Sequence, residues 1–190
     1  MAVPSPSKAE LRRTLKSRRQ AFVAAIPVAE RCVAAAVLRA IVLPRIMDAG
    51  IVAAYLPIGA EIDPLPLIRA LSSDGRSIAL PHVTGRLGAL RFLRWAPGDP
   101  LVAGPMGLLQ PEADADAVAP DAILAPLLGF DATLHRIGYG AGHYDRAFAA
   151  HPDARRIGLA WSCQRVEAIP RDGWDVSLHA VATEREWIGG

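Results

Sequence analysis

The stretch from Ile123 to Arg146, ILAPLLGFDATLHRIGYGAGHYDR, constrains this chain more than any other. An apolar run, Ile123, Leu124, Ala125, Pro126, Leu127 and Leu128, ends at Gly129. Glycine then returns at alternate positions, Gly138, Gly140 and Gly142, directly before His143-Tyr144-Asp145-Arg146 and an alanine-rich segment. That order predicts strand, loop, glycine turn and helix. Alternating glycines remove the Cβ atoms that would hold a ligand off the backbone and permit positive φ, so successive N–H groups can converge on an anion at the positive end of a helix. Arg136 enters the turn with a guanidinium suited to phosphate oxygens, and Asp145 leaves it with a carboxylate suited to a hard cation such as Mg²⁺. The local reading is a site for nucleotide phosphates. Glycine spacing alone would also serve a tight strand-to-helix connection, and neither the G-K-[ST] of a Walker loop nor the G-x-G-x-x-G of a dinucleotide fold is present.

A length of 190 residues with 52% hydrophobic content fits one globular domain, residues 1–190, with a sizeable core. The net charge is +2 and the basic residues, almost all arginine, are spread along the chain, so nucleic acid is not an expected partner. No apolar run approaches membrane-spanning length, and the N-terminal MAVPSPSKAELRR lacks the apolar centre of a leader. A soluble, cytoplasmic, monomeric protein is expected. Cys32 and Cys163 lie far apart without metal-ligand spacing and read as buried free thiols.

Ser7-Lys8-Ala9-Glu10 forms a capping box, and Leu11, Leu15, Phe22 and Val23 follow at helical spacing, which predicts a helix from Lys8 to Ala25. Lys8, Arg12, Lys16 and Arg19 form one cationic stripe on it, which on this segment alone reads first as a solvated face. A second helix is expected over Ala29 to Leu43, ending near Pro44, then a strand over Ile51 to Leu56 whose carboxyl end carries Glu61 and Asp63. Asp63-Pro64 reads as a helix start, which leaves Glu61 without a capping duty. Further strands are expected over Ser77 to Leu80, stopped by Pro81, and over Leu90 to Trp95. Trp95 is placed either to stack on a flat heterocycle or to pack in the core. Strands over Ala122–Pro126, Arg155–Trp161 and His179–Glu184 complete an α/β, single-domain layered sheet, mainly parallel, with helices on both faces in the Rossmann manner.

The run Pro126-Leu127-Leu128-Gly129-Phe130-Asp131, followed by Arg136-Ile137-Gly138-Tyr139-Gly140-Ala141-Gly142-His143-Tyr144-Asp145-Arg146, resembles the signature of the 5-formyltetrahydrofolate cyclo-ligase family, also called methenyltetrahydrofolate synthetases. The resemblance extends from about Lys8 to Glu184, and includes the K-x-x-x-R pattern at Lys8 and Arg12 and a terminal V-x-T-E. It implies the same layered fold and the ATP-dependent conversion of 5-formyltetrahydrofolate to 5,10-methenyltetrahydrofolate, with release of ADP and phosphate. It further implies that Lys8, Arg12 and Arg136 neutralise the ATP phosphates. Gly138, Tyr139, Gly140, Ala141, Gly142 and Tyr144 would complete the nucleotide site. Leu56, Glu61, Trp95, His143 and Tyr144 would meet the reduced folate, and Asp145 with Asp175 would hold Mg²⁺. Arg136, Glu61 and Lys8 are the expected catalytic residues. Without the resemblance, Asp175 reads equally as a turn or cap residue.

Three positions depart from the family pattern. Leu134 stands where glycine is usual, a change that could move Arg136. Ala141 stands where glycine or a basic residue is common. His143 stands where an aromatic, usually tyrosine, is found. Two alternatives therefore remain, a sugar-phosphate enzyme on a related scaffold and a non-catalytic nucleotide- or folate-binding paralogue.

Overall fold

A computed structural model describes residues 7–85 and 88–190, with the backbone alone at Met106. The N-terminal residues 1–6, part of the stretch read as lacking a leader's apolar centre, lie outside that description. Helix α1 spans Lys8–Ala25, as its capping signals require: Ser7 Oγ accepts from the Glu10 N–H at 3.3 Å, and Glu10 Oε2 accepts from the Ser7 N–H at 2.9 Å. Helix α2 spans Val28–Val42 and runs into a single 3₁₀ turn containing Pro44. Its buried face is Ala34, Ala35, Leu38 and Val42, which leaves Cys32 on the exposed side. That corrects the expected burial of this thiol; Cys163 is half-buried.

Strand β1 (Ile51–Ala53) leads through helix α3 (Leu65–Ser73) to β2 (Ser77–His82) and its antiparallel neighbour β3 (Arg91–Arg94). The helix starts one residue later than expected, with Pro64 rather than Asp63 at the N-cap; the Asp63 carboxylate accepts from the Leu65 N–H at 2.9 Å from just before it. Pro81 does not stop β2. The Ala79 carbonyl accepts from Ala54 on the β1 side, so two residues later the missing N–H of Pro81 faces the place where β1 has already ended. A short hairpin of β4 (Val102–Ala103) and β5 (Leu109–Gln110) precedes β6 (Ala122–Pro126). A second hairpin, β7 (Gly129–Phe130) with β8 (Arg136–Ile137), then delivers the glycine turn to helix α4 (His143–Ala150). Strands β9 (Arg155–Leu159), β10 (Ala180–Ala182) and β11 (Trp187–Gly189) complete the chain.

The main sheet has seven strands in the order β11-β10-β9-β6-β1-β2-β3. Its interior pairs are parallel and each edge carries one antiparallel strand. The last of these, β11, was not anticipated; Thr183 accepts from the Arg185 and Glu186 N–H groups through its hydroxyl and turns the chain into it. Alternate residues go to opposite faces, as strand geometry demands. Leu124, Val52 and Ile78 pack on α2 and α3, while Ile123, Ala125, Ala53 and Ala79 pack with Phe130 and Phe148 on the α4 side. Helices therefore cover both faces, as expected of a largely parallel sheet. From β1 the chain proceeds to β2 on one side, and from β6 to β9 on the other, so the strand order reverses between β1 and β6. In open α/β sheets a crevice forms outside the carboxyl ends of strands at such a point. No single helix among the described residues is long and apolar enough to cross a membrane.

Candidate active site

A cavity of about 510 Å³ lies at the β1/β6 carboxyl ends, between the glycine turn, the start of α1 and the segment around Asp175. Its lining combines two chemistries: the cations Lys8, Arg12, Lys16 and Arg136 with Asp145, Asp172 and Asp175, and the apolar Leu56, Ile58, Pro81, Val83 and Leu90 with the carboxylate of Glu61.

Among the charged groups, the Lys8 ammonium donates to Asp172 Oδ2 at 2.7 Å and to Asp175 Oδ2 at 2.5 Å. Burial works against the lysine charge, but the two carboxylates outweigh it and raise its pKa. Burial likewise disfavours the charged Asp175, and its hydrogen bonds from Lys8 and the Asp172 N–H carry its pKa below the ordinary value. Arg12 Nε donates to the Gly138 carbonyl at 3.0 Å. Arg136, 5% exposed, donates to Asp145 Oδ1 at 2.8 Å, with its guanidinium over the rings of Tyr144 and Phe148 at 5.8 and 5.0 Å. Desolvation lowers its pKa, and its Nε has no hydrogen-bond partner. The turn above it uses its glycines: Gly140 and Gly142 sit at φ 97° and 67°, and a Cβ on Gly140 would come within 3.2 Å of the Arg12 guanidinium.

Leu134 takes the left-handed conformation itself, at φ 63°. That conformation costs roughly 1–2 kcal/mol for a residue with a Cβ. Asp131 anchors the loop around Leu134. Its Oδ1 accepts from the Thr133 N–H and hydroxyl and from the His135 N–H, and its Oδ2 accepts from the Ile169 N–H, at 2.7–3.1 Å. Arg136 arrives on β8 opposite Phe130.

Glu61 is 8% exposed. Its Oε2 accepts from the Ile58 N–H at 2.9 Å and its Oε1 from the Tyr139 hydroxyl at 2.7 Å, so Glu61 also closes its own turn, a duty the sequence reading denied it. Desolvation raises its pKa against those two hydrogen bonds and the nearby Arg19. Burial and the Glu61 charge push the Tyr139 phenol up to about 12, and burial pushes Tyr144 higher still. His143 lines the cavity with Nδ1 3.1 Å from Arg146 Nη2; burial and that guanidinium lower its pKa, which favours the neutral ring.

Of the residues expected to contact ligands, the cavity brings together all but Trp95. Trp95 is 6% exposed in the core, with its N–H bonded to Ile78 and its indole donating to the Asp99 carbonyl. The reason is strand direction: β3 is antiparallel, so its end lies beside the amino end of β2, away from the crevice. Sequence reasoning assigned no site role to Asp172, which shares Lys8 with Asp175, to Tyr55, or to Arg19 behind Glu61. The exposed indole of Trp174 stands at the rim beside them.

The sequence model of the 5-formyltetrahydrofolate cyclo-ligase family matches residues 4–184, a span that contains every residue lining the cavity. The chain belongs to the 5-formyltetrahydrofolate cyclo-ligase family. It is 34% identical to the 5-formyltetrahydrofolate cyclo-ligase of Escherichia coli K12 over 155 residues, 78% of this chain and 85% of that protein. With the cyclo-ligase of Mycolicibacterium smegmatis it shares 30% identity over 191 aligned positions, 96% of each chain. Among solved structures, the NMR structure of Aquifex aeolicus 5,10-methenyltetrahydrofolate synthetase superposes with a TM-score of 0.79 at 28% identity, over 96% of this chain and 92% of that one. The synthetase from Mycoplasma pneumoniae shares the fold at a TM-score of 0.74 and 20% identity, over 95% of this chain and 100% of that one. Membership in the cyclo-ligase family does not favour the sugar-phosphate alternative.

Proposed function

We propose that this cavity binds ATP and 5-formyltetrahydrofolate side by side and closes the formyl group onto the neighbouring folate amine, releasing ADP, phosphate and 5,10-methenyltetrahydrofolate. The observation that carries the reading is that one crevice is lined both by cations with a glycine turn and by apolar side chains with the buried carboxylate of Glu61. A formamide carbon is a poor electrophile because its nitrogen donates into the carbonyl, and its oxygen is a poor leaving group. Transfer of the γ-phosphoryl group to that oxygen cures both faults: the formyl oxygen attacks phosphorus as ADP departs, the second amine attacks the activated carbon and loses its proton, and phosphate leaves with the oxygen. The protein's part is alignment and charge neutralisation.

Lys8, Arg12 and Arg136 neutralise the polyphosphate, the N–H groups from Gly138 to Gly142 approach it, and Glu61 accepts from the pterin edge. Without phosphate, Lys8 and Arg136 are held by Asp175 and Asp145. An incoming triphosphate would compete for those cations, and Asp145 and Asp175 would then be the residues to hold a metal ion. Asp145 Oδ1 lies 3.5 Å from the Val176 N–H, so the two acids share one corner of the cavity. They suit Mg²⁺, which takes one or two carboxylates and completes its shell with water and phosphate oxygens. No group of three or more His, Cys, Asp or Glu side chains among the described residues could cage a metal without the nucleotide. When bound, Mg²⁺ would shield the charge of the transferring phosphoryl group. Supplies of ATP and reduced folate are cytoplasmic, which supports that location.

The test is incubation of purified protein with Mg²⁺, ATP and 5-formyltetrahydrofolate. ATP hydrolysis strictly dependent on the folate, with the near-ultraviolet absorbance of the methenyl product, is expected; normal ATP binding without product would leave a non-catalytic paralogue. Glu61→Gln is expected to raise KM for the folate roughly tenfold or more through loss of a charge-assisted hydrogen bond, with KM for ATP little changed. Equal rises in both would remove Glu61 from folate binding.

A further inference from the structure

We propose that Arg19 is a positioning residue for the folate, acting through the Tyr139 hydroxyl to hold Glu61 as a charged, oriented acceptor for the N–H edge of the pterin. The inference rests on the assignment of Glu61 to folate binding in the cavity. Arg19 comes from the middle of α1 and is 3% exposed, a burial that an arginine rarely accepts without a specific task. Its Nη2 donates to the Tyr139 hydroxyl at 2.7 Å, its Nη1 donates to the Leu127 carbonyl at 3.3 Å and lies 3.8 Å from Glu61 Oε1, and its carbon centre sits 5.8 Å from the Tyr139 ring. The Nε is buried without a partner, so the guanidinium is not there for its own hydrogen-bond satisfaction.

The direction of each bond gives the arrangement its logic. A phenol has one proton, and Tyr139 donates it to Glu61 Oε1. The arginine can only donate, so it takes the phenol's lone pair and fixes the rotor of that hydroxyl. Glu61 then has one acceptor site on Oε1 filled by Tyr139 and one on Oε2 filled by the Ile58 N–H. A carboxylate offers about four such sites, which leaves about two for a ligand. The pterin ring presents an amino group and an adjacent ring N–H, a pair of donors that matches a carboxylate and would meet a proton on a neutral acid. Burial favours the neutral acid, and it is opposed first by the hydrogen bonds from the Ile58 N–H and the Tyr139 hydroxyl and then by the charge of Arg19. The ionisable groups facing Glu61 are Arg19 from α1, Tyr55 after β1, Tyr139 from the glycine turn and Tyr144 from α4. Arg19 is the cation of that set, and it both favours the charged acceptor and fixes the Tyr139 hydroxyl that binds it.

Arg19→Met removes the charge at similar length. KM for the folate is expected to rise about tenfold to a hundredfold, the loss of one charge-assisted contact, while KM for ATP changes less than about threefold. The acid limb of the kcat/KM profile for the folate is also expected to move to higher pH, because Glu61 protonates more readily. Arg19→Lys keeps the charge and loses the fork, so it should restore the position of that limb while KM for the folate stays severalfold high. A merely structural arginine would lower Tm without splitting the two KM values or moving the limb, and that result overturns the proposal. Should Arg19→Met fail to fold, Arg19→Lys decides: an unchanged folate KM, or equal rises in both KM values, overturns it. A wild type that does not turn over ATP with 5-formyltetrahydrofolate refutes the site assignment itself, whereas an active wild type beside unresponsive Arg19 variants refutes this inference alone.

Discussion

Arg136→Ala is expected to lower kcat/KM for folate-dependent ATP turnover by on the order of a hundredfold to a thousandfold, the usual cost of removing one preorganised donor from developing transition-state charge. The side chain is nearly buried, held by Asp145 on one side and two aromatic rings on the other, with its Nε free of any protein partner. Burial of the guanidinium strengthens each contact it makes. Arg136→Lys should recover little, because an ammonium offers a point charge where the site holds a planar fork. Folding should survive, since Asp145 opens on the cavity and water can hydrate the carboxylate that is left. Steady-state turnover beside a thermal melt separates the two effects. Activity within about threefold of wild type in a folded variant would move phosphate binding away from the glycine turn.

Asp131→Ala should show the larger loss of stability, about 1–3 kcal/mol, by leaving the buried Ile169 N–H and the partly buried N–H groups of Thr133 and His135 without their acceptor. Desolvation opposes the charge on Asp131, but the hydrogen bonds from Thr133, His135 and Ile169 outweigh it and lower its pKa. A carboxyl whose folded pKa is depressed adds stability that is present above its unfolded pKa and is lost as pH falls through the folded one. Asp131→Asn should therefore flatten the acid side of the stability curve as well as lowering it near neutrality. Denaturant midpoints followed from neutral to acid pH check this, and parallel curves for wild type and Asp131→Asn would show that the charge at this position is not linked to folding.

The parts of the molecule set by local chemistry could be read directly from the residues. Helix α1 begins and ends where its capping box and apolar spacing place it, and the strand, turn and helix around the alternate glycines follow from their order. What could not be read depends on strand direction and on neighbours distant in the chain. Trp95 left the site because β3 runs antiparallel. Pro81 stayed in β2 because β1 stops short. Leu134 fills a left-handed position where the family pattern has glycine, and its carbonyl accepts from the Leu178 N–H of a segment far along the chain. Arg19 was the more legible miss. It completes the cationic stripe of Lys8, Arg12 and Lys16, yet it also falls four residues after Leu15 and four before Val23, on the buried face of the same helix. A cation in the middle of an apolar stripe was the signal.

The partners of α1 lie late in the chain: Arg19 and Tyr139 are separated by 120 positions, and Lys8 and Asp175 by 167. During synthesis the helix therefore leaves the ribosome long before anything can cover it. At about 5–20 residues per second, Arg19 waits roughly 6–24 s for Tyr139 to be made. Throughout that interval Leu15 lacks Ile137 and Ile169, and Phe22 lacks Trp161, leaving an amphipathic segment of the kind that chaperones hold. Nascent chains arrested before the glycine turn should remain sensitive to protease within α1, and the ability to retain nucleotide should emerge abruptly once the segment carrying Asp172 and Asp175 clears the exit tunnel.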